Sequence, residues 1–225
     1  MNQHVSTPNY SKAVIFDLDG VLTDTAHYHF LAWQKIAEQV GVHFDEQSNE
    51  ALKGIDRMTS LQMILAQSEH SFSDHEVAQL AAQKNQHYLS LIAQMQPSDV
   101  FAGVVDLLAE LRAAGFALGV ASISKNAQFV LQRLALAEHF DFVADAAKIA
   151  KPKPHPEIFL TVAAALGVPP AQCVGIEDAK AGVESIQSAG MPAIGIGSTE
   201  ILGAANIVVP HTSDVTLAHI LSLLT

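Results

Sequence analysis

The chain has few of the features expected of a secreted, membrane-bound or nucleic-acid-binding protein. It contains a single cysteine, Cys173, so no disulfide can form within it. No apolar run reaches the roughly 20 residues that a membrane-spanning helix needs. Its 12 Lys and Arg residues against 23 Asp and Glu give a net charge of −11, which disfavours nucleic acid and anionic membranes as partners. These shortages predict a cytoplasmic protein with neither kind of partner.

The composition does allow a large folded core. Hydrophobic residues make up 49% of the 225 residues and charged residues 16%, enough for one large α/β domain or a smaller one with an insertion. Residues 1–10 are polar and lack the charged and apolar regions of a signal peptide, so we expect a loose leader there. Cys173 lies in an apolar run and is interpreted as a small buried hydrophobe, not as a nucleophile.

Hydrophobic periodicity divides the rest of the chain into two parts. Residues 24–96 have helical periodicity and hardly any strand signal; this predicts helices over Asp24–Val40, Thr59–Gln67 and Asp74–Met95. From residue 101 onward, short apolar strands alternate with helices, which is typical of a parallel sheet with right-handed crossovers. Ala13–Phe16 is predicted to be a further strand of that sheet.

The predicted fold class is therefore α/β. A Rossmann-like parallel-sheet core is expected from residues 11–23 and 97–225, with a helical domain inserted after the first strand. This insertion, residues 24–96, is called the cap, because it is expected to cover the edge of the sheet at which open α/β folds bind ligands.

Two carboxylates follow the first predicted strand. The sequence Val14-Ile15-Phe16 leads directly into Asp17-Leu18-Asp19-Gly20. Because side chains alternate along an extended chain, Asp17 and Asp19 point to the same side. Carboxylates this close repel each other unless a cation neutralises them, and hard oxygen ligands suit Mg²⁺. An ordinary strand-to-loop turn is the simpler alternative.

Three further predicted strand ends carry polar side chains. One opens a helix with Ser122, Ser124, Lys125 and Asn126. Hydroxyls, an amide and helix N-terminal amides suit an anionic phosphate. Another contains Lys151 and Lys153 among prolines, and a lysine there can neutralise phosphoryl oxygens. The last ends in Glu177 and Asp178, which are suited to completing a magnesium site.

Taken in order, these four segments resemble the haloacid dehalogenase superfamily of phosphotransferases. Its pattern is D-x-D-G, then Ser or Thr, then Lys, then a pair of acids, and the resemblance covers essentially the whole chain after the leader. It implies that Asp17 is the nucleophile that forms an aspartyl-phosphate. It implies that Asp19 is the general acid and base.

The resemblance also implies how phosphate and metal are held. Ser122 and one lysine would bind the transferring phosphoryl group, and Mg²⁺ would be bound by Asp17, Asp178 and the main-chain carbonyl of Asp19, with Glu177 nearby. The lysine is ambiguous, because both Lys151 and Lys153 precede a proline. Lys153 is preferred because Pro154-His155-Pro156-Glu157 continues the pattern of the family.

The first cap helix has an unusual polar face. Thr25, His29 and Trp33 are four residues apart and share one side of a helix. A hydroxyl, an imidazole and an indole form a poor core stripe but a suitable surface for a sugar. Packing of this face on a neighbouring helix is the alternative.

A second group of cap residues is suited to an anion. Gly54 and Ile55 precede Arg57, one of three arginines in the chain, and Ser60 follows. Glycine lets the backbone approach a ligand closely, and the guanidinium fork suits a second phosphate. Lys84 on the third cap helix could reach the same cleft or could be an ordinary solvated lysine.

These cap residues resemble the sugar-phosphate mutases of the superfamily. The resemblance implies a magnesium-dependent intramolecular phosphotransferase that interconverts β-D-glucose 1-phosphate and glucose 6-phosphate. The reaction would pass through the aspartyl-phosphate, with β-glucose 1,6-bisphosphate as the activating intermediate. Sugar phosphates would be its only partners, and a monomer is expected. A sugar-phosphate phosphatase with the same two aspartates is the main alternative, and a non-catalytic sugar-phosphate sensor is a more distant one.

Overall fold

The computed structural model describes residues 10–52 and 55–224. The strands in this part of the chain are β1 (Ala13–Phe16), β2 (Ala117–Val120), β3 (Phe142–Val143), β4 (Cys173–Glu177), β5 (Ala193–Ile196) and β6 (Ile207–Val209). The α-helices are α1 (Ala26–Gln39), α2 (Glu46–Glu50), α3 (Arg57–Leu65), α4 (Asp74–Ile92), α5 (Val104–Ala113), α6 (Ala127–Arg133), α7 (Glu157–Leu166), α8 (Lys180–Ser188), α9 (Thr199–Leu202) and α10 (Leu217–Ser222). None of the described helices is both long and apolar enough to cross a membrane.

The strands form one sheet in the order β3-β2-β1-β4-β5-β6. All neighbouring strands are parallel, and Ala13 of β1 lies opposite both Ala117 of β2 and Cys173 of β4. Parallel neighbours need crossover connections, and helices provide most of them. The predicted α/β fold with a parallel sheet is therefore confirmed.

β1 lies inside the sheet and is buried on both faces, which explains its uninterrupted apolar sequence. Val14 and Phe16 belong to one apolar cluster, whereas Ala13 and Ile15 belong to a second cluster on the opposite face. The strand is thus fixed from both sides, and its carboxyl end is held rigidly. The carboxylates that follow this strand start from a well-defined position.

Two glycines let helices approach the sheet closely. A Cβ atom at Gly119 would lie 2.4 Å from Val162 of α7, and one at Gly175 would lie 2.6 Å from Ile186 of α8. Larger side chains would push these helices outward and disturb the loops at their N-terminal ends. Close packing of α7 and α8 therefore helps to position the segments that precede them.

Helices α1 to α4 fall within the cap and pack around an apolar cluster of their own. Trp33 and Ile36 of α1, Leu61 and Ile64 of α3, and Ala81 of α4 are buried in it. This cluster is separate from the two that flank the sheet. The cap therefore has a hydrophobic core through which it can keep its own shape.

Several helix bounds differ from the predicted ones. α3 begins at Arg57, two residues before the predicted Thr59, because the Asp56 carboxylate accepts hydrogen bonds from the amides of Met58 and Thr59 at 2.9 and 3.2 Å. The sequence pattern missed α2, α9 and α10 altogether. These have 5, 4 and 6 residues, too few to develop a helical period.

Cys173 is fully buried at the start of β4. Burial raises the pKa of its thiol to about 12, so the thiolate does not form near neutral pH. This agrees with the packing role predicted for it.

Candidate active site

The order of the strands reverses direction at β1, which lies between β2 and β4. Polar side chains lie at the carboxyl ends of these three strands. Asp17 directly follows β1, Ser122 follows β2 by two residues, and Glu177 ends β4. The Asp17 amide donates to the Ile176 carbonyl at 2.9 Å, which extends the strand pairing up to the carboxylate. Open α/β sheets bind their ligands at such a switch point.

Lys153 connects two of these carboxylates. Its Nζ atom lies 2.7 Å from Asp17 Oδ1 and 2.7 Å from Glu177 Oε2. The three side chains are almost completely removed from solvent. Burial lowers the pKa of Lys153, but the carboxylates of Asp17 and Glu177 outweigh it and raise the pKa above the ordinary value. Lys151, the other candidate, is exposed.

Asp19 lies beside Asp17 and keeps its proton more readily than an ordinary aspartate. Its backbone amide donates to Asp17 Oδ2 at 3.1 Å, while its own Oδ1 atom is buried without a partner in the described chain. Burial, together with the negative charges of Asp17 and Glu177, raises the pKa of Asp19 to about 8, although Lys153 and Lys84 oppose the shift. A carboxyl that keeps its proton at neutral pH can donate it, as a general acid must.

Gly20 allows the carboxylate of Asp178 to lie close to the chain that carries Asp17 and Asp19. It adopts a φ of +80°, and a Cβ atom there would lie 2.1 Å from Asp178 Oδ2. Any side chain at this position would displace the Asp178 carboxylate. The glycine of the D-x-D-G sequence is thus required by backbone conformation and by space.

Asp17, Glu177 and Asp178 form a cluster that could hold a metal ion. They offer carboxylate oxygens that all lie within 4.8 Å of one another. Glu177 uses Oε2 for Lys153 and Oε1 for the amides of Asp178 and Ala179 at 3.2 Å each. The donor set consists of hard carboxylate oxygens, so it suits a divalent cation such as Mg²⁺.

Adding Mg²⁺ is expected to stabilise the protein against heat. Saturating metal should raise the unfolding midpoint by roughly 5–10 °C, as expected for a ligand at about 100 times its Kd in a chain of this length. Asp178→Asn should lose most of this rise, whereas Asp106→Asn, which alters an exposed acid of α5, should keep it. Scanning calorimetry with Mg²⁺ or EDTA measures the shift; an equal rise in all three proteins would contradict a metal site at Asp178.

The segment after β2 forms a compact polar loop. The Ser124 amide donates to Ser122 Oγ at 3.1 Å, and the Asn126 amide donates to Ser124 Oγ at 3.3 Å. Ser122 is fully buried, whereas Ser124 and Asn126 are half-buried and Lys125 is exposed. The loop, residues 122–126, is called the serine loop. Its hydroxyls are held by backbone amides and can orient toward an anion.

On the cap side, Lys84 and His29 form a buried pair. Lys84 Nζ lies 2.8 Å from His29 Nδ1, and 4.5 and 4.7 Å from the ring centres of Trp33 and Tyr88. Burial and the charge of Arg57 lower the pKa of Lys84 to about 7, although Asp19 opposes the shift. Burial, followed by the charges of Lys84 and Arg57, lowers the pKa of His29 well below its usual value.

The low pKa of Lys84 predicts a pH-dependent stability. Between about pH 7 and its ordinary value of 10.5, the folded protein binds fewer protons than the unfolded chain, so this group makes stability rise with pH. Lys84→Met removes the cost of burying a charge, so its unfolding midpoint relative to wild type should be highest below pH 7 and fall toward pH 10. Thermal unfolding from pH 6 to pH 10 tests this, with exposed Lys35→Met as control. A pH-independent difference for Lys84→Met would contradict the assigned shift.

Arg57 lies at the start of α3, and its side chain is partly buried. Burial lowers the pKa of the guanidinium, which nevertheless stays charged. Among the described residues, neither Arg57 nor Lys84 has a carboxylate within 4.0 Å. Arg57, together with Lys84 when it is protonated, faces a cleft and suits an anionic ligand.

One cavity of about 390 Å³ brings core and cap residues together. The predicted site residues that line it are Asp17, Asp19, His29, Trp33, Ile55, Arg57, Ser60, Lys84, Ser124, Lys125, Asn126 and Asp178. Four other predicted residues do not line the cavity and are buried: Thr25, Ser122, Lys153 and Glu177. Gly54, also predicted to bind substrate, lies outside the described residues.

Sequence reasoning missed Tyr88. Only 1% of it is exposed, its ring centre lies 4.1 Å from that of His29, and its hydroxyl is close enough to the hydroxyls of Thr25 and Ser124 to be influenced by them. Burial and the charge of Asp19 raise the pKa of the phenol well above its usual value. Its position four residues after Lys84, on the same face of α4, is the signal that could have identified it.

Comparison with known proteins agrees with this geometry. Residues 11–190 match the haloacid dehalogenase-like hydrolases. Over 208 residues, the chain is 49% identical to beta-phosphoglucomutase of Bacillus subtilis (strain 168), a match that covers 92% of each protein. It is 32% identical over 185 residues to fructose-1-phosphate phosphatase YqaB of Escherichia coli (strain K12), covering 81% of this chain and 95% of that protein.

A solved structure supports the same relationship. Beta-phosphoglucomutase from Clostridium difficile superposes with a TM-score of 0.92 at 45% identity, covering 95% of this chain and 97% of that one. The sheet, the inserted helices and the order of the strand-end motifs are thus accompanied by sequence identity over almost the whole length. The resemblance seen in the four motifs is confirmed: the chain belongs to the haloacid dehalogenase-like hydrolase family.

Proposed function

We propose that this protein is a β-phosphoglucomutase that interconverts β-D-glucose 1-phosphate and glucose 6-phosphate. The observation that carries the proposal is the cavity itself, where Arg57 of the cap shares one space with Asp17 and Asp19 of the core. A phosphoryl-transfer centre at one wall and a cation at the other suit a sugar with two phosphates. The high identity to the enzyme of Bacillus subtilis supports the same activity.

Asp17 is the nucleophile of the proposed reaction. Its carboxylate attacks phosphorus and becomes an aspartyl-phosphate, while Lys153, 2.7 Å away, balances charge on the transferring group. Asp19 keeps its proton near neutral pH and gives it to the leaving sugar oxygen. In the return step, the Asp19 carboxylate takes a proton from the accepting hydroxyl.

Mg²⁺ would be held by Asp17, Asp178 and the main-chain carbonyl of Asp19, and would neutralise charge on the phosphoryl oxygens. Glu177 stays nearby, fixed by Lys153 and two backbone amides. Ser122 and Ser124 provide hydroxyls for the same phosphoryl group. The contacts from Lys153 and the two serine hydroxyls grow stronger as charge develops on that group.

The cap provides the second half of the cycle. Phospho-Asp17 donates its phosphoryl group to one hydroxyl of glucose phosphate. The resulting β-glucose 1,6-bisphosphate reorients so that its other phosphate faces Asp17. Arg57 binds the phosphate that is not reacting, while Trp33 and His29 line the space for the sugar ring. A covered cleft also keeps water from hydrolysing the aspartyl-phosphate.

A product assay tests the proposal against hydrolysis. The protein is mixed with Mg²⁺, β-glucose 1-phosphate and a trace of β-glucose 1,6-bisphosphate, and glucose 6-phosphate and inorganic phosphate are followed together. We expect glucose 6-phosphate with little inorganic phosphate. If inorganic phosphate dominates, the protein is a sugar-phosphate phosphatase, like the relative in Escherichia coli.

Arg57→Ala is expected to damage transfer between sugar phosphates much more than simple hydrolysis. Loss of a two-pronged, charge-assisted contact to phosphate should lower mutase kcat/KM roughly 100-fold. Hydrolysis of p-nitrophenyl phosphate, which has no second phosphate, should change little. The exposed cap lysine in Lys35→Ala serves as the control. Undiminished mutase flux in Arg57→Ala would rule out this role for the cap.

The proposal includes several further predictions. Residues 24–96 are proposed to act as a cap on a core formed by residues 11–23 and 97–225. The protein is proposed to be a cytoplasmic monomer whose partners are sugar phosphates, without nucleic-acid or membrane partners. Gel filtration with light scattering measures the oligomeric state directly.

A further inference from the structure

Asn126 does not use its side chain in the ordinary way for its position. It is the N-cap residue of α6, where asparagine usually accepts a hydrogen bond from a backbone amide of the first turn. Its side chain makes no such bond. The last residue of the serine loop therefore lacks the usual capping hydrogen bond, and the side-chain amide of Asn126 is available for another partner.

That partner lies on the cap. Asn126 Nδ2 donates to Asn85 Oδ1 at 2.9 Å, across 41 residues of sequence. Both side chains are half-buried, and Asn126 lines the cavity whereas Asn85 does not. The bond thus joins helix α4 of the cap directly to the loop expected to bind phosphate.

The neighbours of Asn85 on α4 belong to the site as well. Lys84, immediately before it, holds His29, and Tyr88, one turn later, packs its ring against His29. One side of α4 therefore faces the reacting groups, and Asn85 on that side bonds to a core side chain. If α4 moves away from the core, this bond breaks.

We propose that Asn85 is a positioning residue that couples the position of the cap relative to the core to the orientation of the Asn126 side chain. With the cap against the core, the bond uses one N–H of the Asn126 amide group and orients its second N–H to donate to the phosphate of the substrate. With the cap displaced, Asn126 is released. The functional part of this inference rests on the proposed mutase activity, because a held cap favours transfer of phosphate to sugar over transfer to water.

Small-angle X-ray scattering of the ligand-free protein tests the coupling without any substrate. Wild type should have a radius of gyration close to the about 17 Å of a compact chain of this length. Asn85→Ala and Asn126→Ala should each increase it, and the double variant should increase it no further, because both changes remove the same bond. Gln86→Ala, an exposed change next to Asn85, should match wild type. Identical scattering from all these proteins would overturn the coupling.

The second measurement is the ratio of inorganic phosphate to glucose 6-phosphate during turnover. Loss of one hydrogen bond should shift the balance toward displaced caps several-fold, so the ratio should rise roughly three- to tenfold in Asn85→Ala. Gln86→Ala should keep the wild-type ratio. An unchanged ratio despite expanded scattering would overturn the positioning role. If wild type makes no glucose 6-phosphate, the proposed function fails, and the scattering alone decides whether the cap is coupled to Asn126.

Discussion

Asp17→Asn is expected to reduce turnover by roughly 10⁴-fold or more while leaving the protein folded. The amide is a poor nucleophile and cannot form the acyl-phosphate on which both halves of the proposed cycle depend. It also removes one of the two carboxylates that contact Lys153. The reacting group and its electrostatic balance are lost together, so the effect should exceed that of any single cap substitution.

Intact-mass spectrometry after brief mixing with β-glucose 1,6-bisphosphate provides the direct measurement. Wild type should carry a phosphoryl adduct, and Asp17→Asn should carry none. Asp106→Asn, the same chemical change at an exposed site, should behave like wild type. Phosphoryl transfer at an ordinary rate in Asp17→Asn would place the nucleophile elsewhere.

The strand-end motifs could be identified from the sequence because they are local. A buried strand followed by Asp17-Leu18-Asp19-Gly20 can be recognised from adjacent residues alone. The parallel sheet then brings the other strand ends to the same edge. For the same reason, Lys153 could be preferred to Lys151 from the residues that follow it. Its ion pairs with Asp17 and Glu177 depend on the folded sheet and become visible in the structure.

The contacts of α4 show what the sequence does not reveal. Asn85 meets Asn126 only because the cap packs against the core, and Tyr88 meets His29 only because α4 packs against α1, far away in the sequence. An asparagine or tyrosine on a helix has no distinctive pattern of its own. The protonation of Asp19 is equally hidden, because its pKa depends on burial and on neighbouring charges that only the fold brings together.

Lys153→Met should cause the largest loss of stability among the site variants. Nζ is the shared partner of two buried carboxyl groups, so its removal leaves Asp17 without its ion pair and, where Glu177 is ionised, leaves two negative charges facing each other. Breaking a buried ion pair in this way costs about 3 kcal/mol or more, which corresponds to roughly 6–12 °C in a protein of this size. Activity should fall as well, because the transferring phosphoryl group loses its cation.

Lys151→Met is the matched control, since it makes the same change two residues away on an exposed side chain. It should unfold near the wild-type temperature and keep its activity. The loss in Lys153→Met should shrink toward acidic pH, because burial and the charge of Asp17 already raise the pKa of Glu177 to about 8 and a protonated Glu177 no longer repels Asp17. Thermal unfolding of both variants from pH 5 to pH 9 measures this dependence. A pH-independent loss would mean that Lys153 stabilises the fold through packing, for example against Phe159, rather than through the two carboxylates.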